Sequence, residues 1–217
     1  MTRTLFVFLF IATLTIAALG QTQNQPEVRQ TCDLSLSQAP VIRGIRLGMK
    51  PDEWLKLFPG SDQDEKIKSF LSRPPQYPDY GSITISFASP SDQDSEGFKY
   101  LPGEGFLGVN RVRLHLIDNQ IAGFGVEYAR SSDVDNPWDD ISQLITIFSD
   151  AFNLPKTPAW EKIGNQQASL RCPGFELHLN TSNSTPSVYL ESKPDLKQVI
   201  RQRREADKQK HRAAFKP

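Results

Sequence analysis

The glycine-rich segment GEGFLG (residues 103–108) matches the G-x-G-x-x-G pattern of dinucleotide-binding loops. In such a loop the glycines follow a strand and begin a helix, so that a phosphate group meets the positive end of the helix dipole. Here the pattern leaves a polar loop and enters a predicted strand. We therefore interpret the three glycines as the flexible exit of a loop, and we predict no cofactor.

A second chemical pattern, DQDSEG (residues 92–97), resembles the first half of a calcium-binding loop, with oxygen ligands at alternate positions and a glycine at the turn. The bidentate acid of such a loop would fall at position 103, which is Gly103, and Glu104 comes one residue too late. We predict a solvated acidic loop here and no metal site.

Two histidines, His115 and His178, each lie between two leucines in segments of alternating hydrophobicity. Because side chains alternate between the two faces of a strand, the leucines are predicted to face a core and the histidines the solvent. Plain solvent-facing positions are the default interpretation, and the alternative is that the pair shares a metal ion or contacts a partner. The chain has no Gly-x-Ser-x-Gly elbow and no His-Glu-x-x-His pair, so we predict no catalytic residue.

The first 20 residues have the features of a secretory signal peptide. Arg3 is followed by a mostly apolar, uncharged run over residues 5–19, and small residues stand at positions 18 and 20. The run is shorter than the roughly 20 residues that span a bilayer, although an uncleaved anchor is the alternative. We predict an exported protein, periplasmic or secreted, with no transmembrane segment after cleavage.

The chain contains two cysteines, Cys32 and Cys172. In an oxidising compartment an even number of cysteines favours one disulfide, and two unpaired buried thiols are the alternative. Lys and Arg (25) balance Asp and Glu (25), so the formal net charge is zero. This balance gives no general attraction to nucleic acid or to an anionic membrane, and we predict no nucleic-acid partner.

The elements that must position these residues follow from hydrophobic periodicity. Pro51 predicts a helix start, Ser61 caps a second helix that stops at Arg73, and Asn136-Pro137 begins a longer helix. Strands are predicted at residues 82–88, from 112 up to the turn at 118–119, and at 121–128, 167–172, 175–181 and 187–192.

This order predicts an α+β fold: two degenerate αβββ repeats with helices packed on antiparallel sheet, plus a charged C-terminal helix. We leave open whether the repeats form one sheet or two. The predicted divisions are a signal peptide (1–20), an extended polar N-terminal segment (21–39), a first α(α)βββ repeat (40–130), a second αβββ repeat (131–193) and a basic C-terminal helix or tail (194–217).

Two segments carry a family resemblance. IRLGMKPDEWLKLF (45–58) resembles the first helix of the small outer-membrane lipoprotein of the β-barrel assembly machinery and its SmpA/OmlA-type relatives, and RVRLHLIDNQIAGFGVEY (111–128) is similar to their closing hairpin. The duplicated architecture looks like that of β-lactamase inhibitory proteins. The resemblance implies a non-enzymatic, protein-contacting α+β module. Lys50 replaces the usual Thr or Ser cap, and Gln21 stands where the lipoprotein has its acylated cysteine.

Aromatic residues in the long loop over residues 89–105 complete the prediction, since such loops carry function in many proteins. The candidate partner-binding residues are Phe98, Tyr100, Leu101, Phe106, His115 and His178. We predict an exported non-enzymatic protein-binding or scaffolding module of the cell envelope with an unidentified extracytoplasmic protein partner. An enzyme or small-ligand carrier is the alternative. The basic tail is predicted to be a solvated helix, with a polyanion- or membrane-touching arm as its alternative.

Overall fold

The computed structural model describes residues 31–72, 80–87, 99–100, 103–129, 140–181, 186–193 and 196–214. The predicted signal peptide, residues 21–30 and the calcium-like segment lie outside the described residues. Within these residues the helices are α1 (Pro51–Trp54), α2 (Glu65–Ser72), α3 (Ile141–Phe152) and α4 (Leu196–Ala214). The strands are β1 (Tyr80–Phe87), β2 (Lys99–Tyr100), β3 (Val109–Ile117), β4 (Gln120–Tyr128), β5 (Trp160–Ile163), β6 (Gln167–Arg171), β7 (Phe175–Asn180) and β8 (Ser187–Ser192).

All eight strands belong to one sheet with the order β2-β1-β3-β4-β8-β7-β6-β5. The strands from β1 through β8 to β5 pair antiparallel with their neighbours, and the short β2 adds to β1 in parallel. β1, β3 and β4 form one meander and β5 to β8 another, and the two meanders join through their last strands, β4 and β8. The α+β class is confirmed, and the sheet is continuous.

The face of the sheet that carries the apolar residues forms the core, and we call it the inner face. The strands alternate as predicted, so that the leucines flanking His115 and His178 are buried. α3 packs on this side against β6 and β7. Its apolar stripe, spaced as on one helix face, buries Leu144, Ile145 and Phe148.

Two helix starts differ from prediction. α3 begins at Ile141, where the Asp140 carboxylate accepts a 2.7 Å hydrogen bond from the Ser142 N–H, so the predicted start at Pro137 is wrong. α2 is capped by Asp64, which accepts from the Lys66 N–H at 2.7 Å, and the predicted cap Ser61 instead begins a 3-10 turn. Both errors replace one capping residue with another three or four positions later.

The segment before α1 is a compact entry motif. Ile42 and Ile45 bond each other's backbones, and Gly44 between them has a φ of +82°, a conformation that glycine adopts without strain. Gly48 donates to the Ile121 carbonyl at 2.7 Å, which fixes the motif to the start of β4. Ile42 and Ile45 are both buried, so the motif lies against the core.

The disulfide between Cys32 and Cys172 is confirmed, with a Cα–Cα distance of 4.8 Å and a sequence separation of 140. Both cysteines are buried. The bond ties the N-terminal segment to the turn between β6 and β7, where the backbone of Leu36 lies directly over Gly174. The described part of this segment is not wholly extended, because Leu36–Gln38 form a 3-10 turn.

Candidate functional site

The outer face of the sheet, which points away from the core, carries the polar strand residues. Its centre lies on β4, where Gly123 and Gly125 face outward between β3 and β8. A Cβ atom on Gly123 would come within 3.2 Å of the Tyr189 hydroxyl oxygen, and one on Gly125 within 3.5 Å of the Tyr189 ring. The two glycines therefore let the ring of Tyr189 lie flat across β4, as aromatic residues do over strand glycines.

The two predicted histidines meet this tyrosine. The ring centroids of His115 and Tyr189 are 5.8 Å apart in an edge-on arrangement, and those of His178 and Tyr189 are 6.0 Å apart. His115 reaches the ring from β3 and His178 from β7, which lie on opposite sides of β8. The structure thus brings the two histidines to one surface, with an aromatic ring between them. We call His115, Tyr189 and His178 the aromatic centre.

Ion pairs surround the aromatic centre. On the β3–β4 side, Arg111 contacts Glu127 at 2.9 Å. On the β6–β7 side, Arg171 contacts Glu176 at 3.0 Å and Glu161 at 3.1 Å. The arginines and Glu161 are substantially exposed, so the rim remains in contact with solvent. The outer face therefore combines an aromatic middle with a mixed-charge edge.

His115 is one of the perturbed groups of this surface. Burial lowers its pKa below the ordinary value, and the nearby positive charge of Arg113 lowers it further. Its Nδ1 atom is buried and makes no hydrogen bond within the described residues. At neutral pH the imidazole is therefore uncharged, and the aromatic centre offers a partner an uncharged ring on this side.

Glu176, His178 and Glu191 form the one described cluster whose ligand atoms could approach a metal ion, since these atoms lie within 4.8 Å of one another. The same groups already bond to protein. Glu176 accepts from Arg171, and Glu191 accepts a 3.0 Å hydrogen bond from the Tyr189 hydroxyl. A cation would have to compete with the Arg171 guanidinium. The arrangement therefore favours a hydrogen-bond network that holds Tyr189, rather than a metal centre.

The candidate partner-binding residues predicted in and next to the loop have different outcomes in the structure. Phe98 and Leu101 lie outside the described residues, and Tyr100 is described only through its backbone, which pairs with Phe87 in β1. Phe106 is 3% exposed, and its ring lies 5.0 Å from that of Phe58 and 5.3 Å from that of Phe87. Phe106 is a core residue, and we leave it out of the proposed contact surface.

The glycine pattern over residues 103–108 forms a short 3-10 turn (Glu104–Phe106) and then enters β3 at Val109. This agrees with the predicted loop exit, because a strand and not a helix follows the glycines.

On the helical side, a cleft of about 400 Å³ is lined by Leu55, Asp62, Ile67, Lys68, Leu71 and Ser72. This cleft, beside α2, is separate from the aromatic centre.

Sequence reasoning missed Tyr189, Glu176 and Glu191. The available signal was the pair Gly123 and Gly125, because two glycines at alternate positions of a strand mark a place where another group approaches the backbone closely.

Comparison with protein-family models, with curated proteins and with solved structures finds no match to this chain. Among the described residues, no helix is both long enough and apolar enough to cross a bilayer.

Proposed function

We propose that this chain is an exported, non-enzymatic protein-binding or scaffolding module of the cell envelope, and that it contacts its partner through the outer face around the aromatic centre. The observation that carries this proposal is the Tyr189 ring held between His115 and His178 inside a rim of exposed ion pairs. Binding hot spots have this composition, with aromatic groups in the middle and solvated polar groups around them.

The support beneath Tyr189 makes it suitable as an anchor. Its ring rests on the glycines of β4, and its hydroxyl donates to Glu191 at 3.0 Å. A side chain that is already ordered loses little conformational entropy when a partner covers it, so more of the contact energy contributes to affinity. Tyrosine also offers both an apolar face and a polar tip.

Export is supported by the signal-like segment at residues 1–20 and by the disulfide, because disulfides persist mainly in oxidising compartments. The likeness to SmpA/OmlA-type lipoproteins and β-lactamase inhibitory proteins is part of the same proposal. The resemblance implies a protein-contacting module in both cases, which agrees with the protein-binding function proposed here.

The test is affinity capture from the native envelope with variants of the outer face. Tyr189→Ala should lower the yield of captured partner by tenfold or more, since hot-spot residues contribute at least about 2 kcal/mol. His178→Ala, at a side chain that is 38% exposed, should lower the yield without disturbing the glycines. Leu107→Ala is the matched control, because Leu107 is an exposed apolar residue in the turn before β3.

Unfolding curves establish that each variant is folded before capture. If folded Tyr189→Ala and His178→Ala proteins both capture every wild-type partner as well as Leu107→Ala does, the contact surface lies elsewhere and the proposal is wrong.

The cleft beside α2 supports a second candidate, a small-ligand carrier. Its lining includes Leu55, Ile67 and Leu71, which suit an apolar ligand. A fluorescent apolar probe should then bind saturably to the wild type, and Leu71→Gln should abolish this binding. A probe that binds both proteins equally, or neither, would exclude the carrier function.

A further inference from the structure

The C-terminal helix α4 is attached to the rest of the molecule along one side. Val199, Ile200, Arg203 and Asp207 are its half-buried side chains, and they recur at the spacing of one helix face. Arg203 donates two hydrogen bonds of 2.6 Å to the carboxylate of Asp118, in the turn between β3 and β4. This bidentate pair joins the helix to the body.

A row of exposed cations runs along another side of α4. Arg201, Arg204, Lys208 and Arg212 are all exposed and follow one another at intervals of three, four and four residues. At 100° per residue these positions fall within an arc of about 80°, and at 1.5 Å per residue the row is about 17 Å long. We call this row the basic ridge. Glu205 is the acid beside it and pairs with Lys208 at 2.8 Å, which leaves an excess of positive charge.

The composition of the helix restricts what the basic ridge can bind. Residues 201–214 contain no Phe, Trp or Tyr, so this part of α4 lacks the large aromatic groups on which the bases of single-stranded nucleic acid stack. They also contain no large apolar side chain, so this part of the helix cannot insert a face into the acyl layer as amphipathic membrane helices do. The basic ridge therefore suits an anionic surface that the helix contacts without inserting into it.

We infer that the basic ridge docks this protein on an anionic phospholipid surface. A straight row of cations on one side of a helix can reach a flat layer of headgroups all at once. The opposite charges supply the complementarity, and the predicted export through a membrane brings the chain to such a surface. The contact is electrostatic, so it weakens as salt screens the charges.

The experiment measures sedimentation with vesicles of phosphatidylcholine alone, or with about one third phosphatidylglycerol. The protein lacks residues 1–20, because their apolar run would itself enter the bilayer. The ridge variant carries Arg201→Gln, Arg204→Gln and Lys208→Gln. Since each basic side chain near an anionic surface adds about fivefold to binding, this variant should bind about a hundredfold more weakly.

The control variant carries Gln198→Glu, Gln202→Glu and Gln209→Glu. It changes the net charge by the same three units on the same helix, at exposed positions centred about 100° around the axis from the ridge. It should keep most of the binding. Unfolding curves verify that both variants are folded, and neither touches the aromatic centre that carries the proposed function.

Binding to phosphatidylglycerol vesicles that the ridge variant loses and the control keeps supports the inference. Equal losses in both variants would show that only total charge matters and would overturn it. So would equal binding to vesicles with and without phosphatidylglycerol, absence of binding at low salt, or stronger binding to single-stranded DNA than to vesicles under the same conditions.

Discussion

Removal of the Cys32–Cys172 disulfide should lower the free energy of unfolding by about 5 kcal/mol. The bond closes a loop with a sequence separation of 140, and the entropy that such a closure takes from the unfolded chain corresponds to about 5 kcal/mol. Domains of this kind are stable by about 5–15 kcal/mol in total, so the loss would be a large fraction of the stability. The variant is Cys32→Ala with Cys172→Ala.

Guanidinium unfolding monitored by tryptophan fluorescence measures the change. Trp54 is buried at the end of α1 and Trp160 is buried at the start of β5, so emission follows both ends of the sheet. Reduced wild-type protein provides a control that breaks the bond without a substitution. Both the reduced protein and the double variant should unfold at clearly lower denaturant concentration.

A loss below about 1 kcal/mol in both proteins would contradict this reasoning, because it would mean that the bond hardly restricts the unfolded chain. A large loss in the variant with little change in the reduced protein would assign the effect to the packing of the two sulfur atoms. The comparison therefore separates chain entropy from local packing.

Three further outcomes follow from the packing. Gly174→Ala should lower the free energy of unfolding by at least about 2 kcal/mol, since its Cβ would lie 2.1 Å from the backbone of Leu36. The control Gly103→Ala, whose Cβ would have no atom within 4 Å, should be nearly neutral in denaturant unfolding. Equal effects of the two substitutions would contradict the close approach. Phe106→Ala should cost about 3–5 kcal/mol as a core truncation, and an unchanged stability would return this ring to the surface. The pKa of His115 is lowered in the folded protein, so the unfolded chain binds a proton more readily, and the free energy of unfolding should fall as pH drops below the ordinary value of 6.5. His115→Gln should reduce this fall in unfolding curves measured across pH. The same pH dependence in the variant and the wild type would refute the assignment.

The parts of the fold that sequence could predict are those set by local pattern. Alternation in β3 and β4 assigned their inner and outer faces, and the Asp118-Asn119 turn between them has the two positive φ values that a tight hairpin requires. The disulfide was predictable because only one pairing of two cysteines exists.

Local pattern failed where several local solutions compete. β5 was missed because three of its four residues are exposed at the edge of the sheet, which leaves Trp160 as its single buried residue. The start of α3 was misplaced because Asn136 and Asp140 are both good capping residues, and propensity does not choose between them. Phe106 was assigned to a surface because a loop was expected there, whereas tertiary packing draws its ring into the core.

The aromatic centre depends on a pairing that no local pattern contains. Gly125 and Tyr189 are cross-strand partners, yet they belong to different meanders and come together only because β4 pairs with β8. The same pairing seats the tyrosine between histidines from β3 and β7. The basic ridge, in contrast, follows from the spacing of cations along one helix. The hydrogen bond from Arg203 to Asp118 joins that helix to the body and leaves the ridge exposed. The two surfaces use different residues on different elements, so variants of one should leave the other intact. A protein bound to a membrane through α4 would still have its aromatic centre available for a partner.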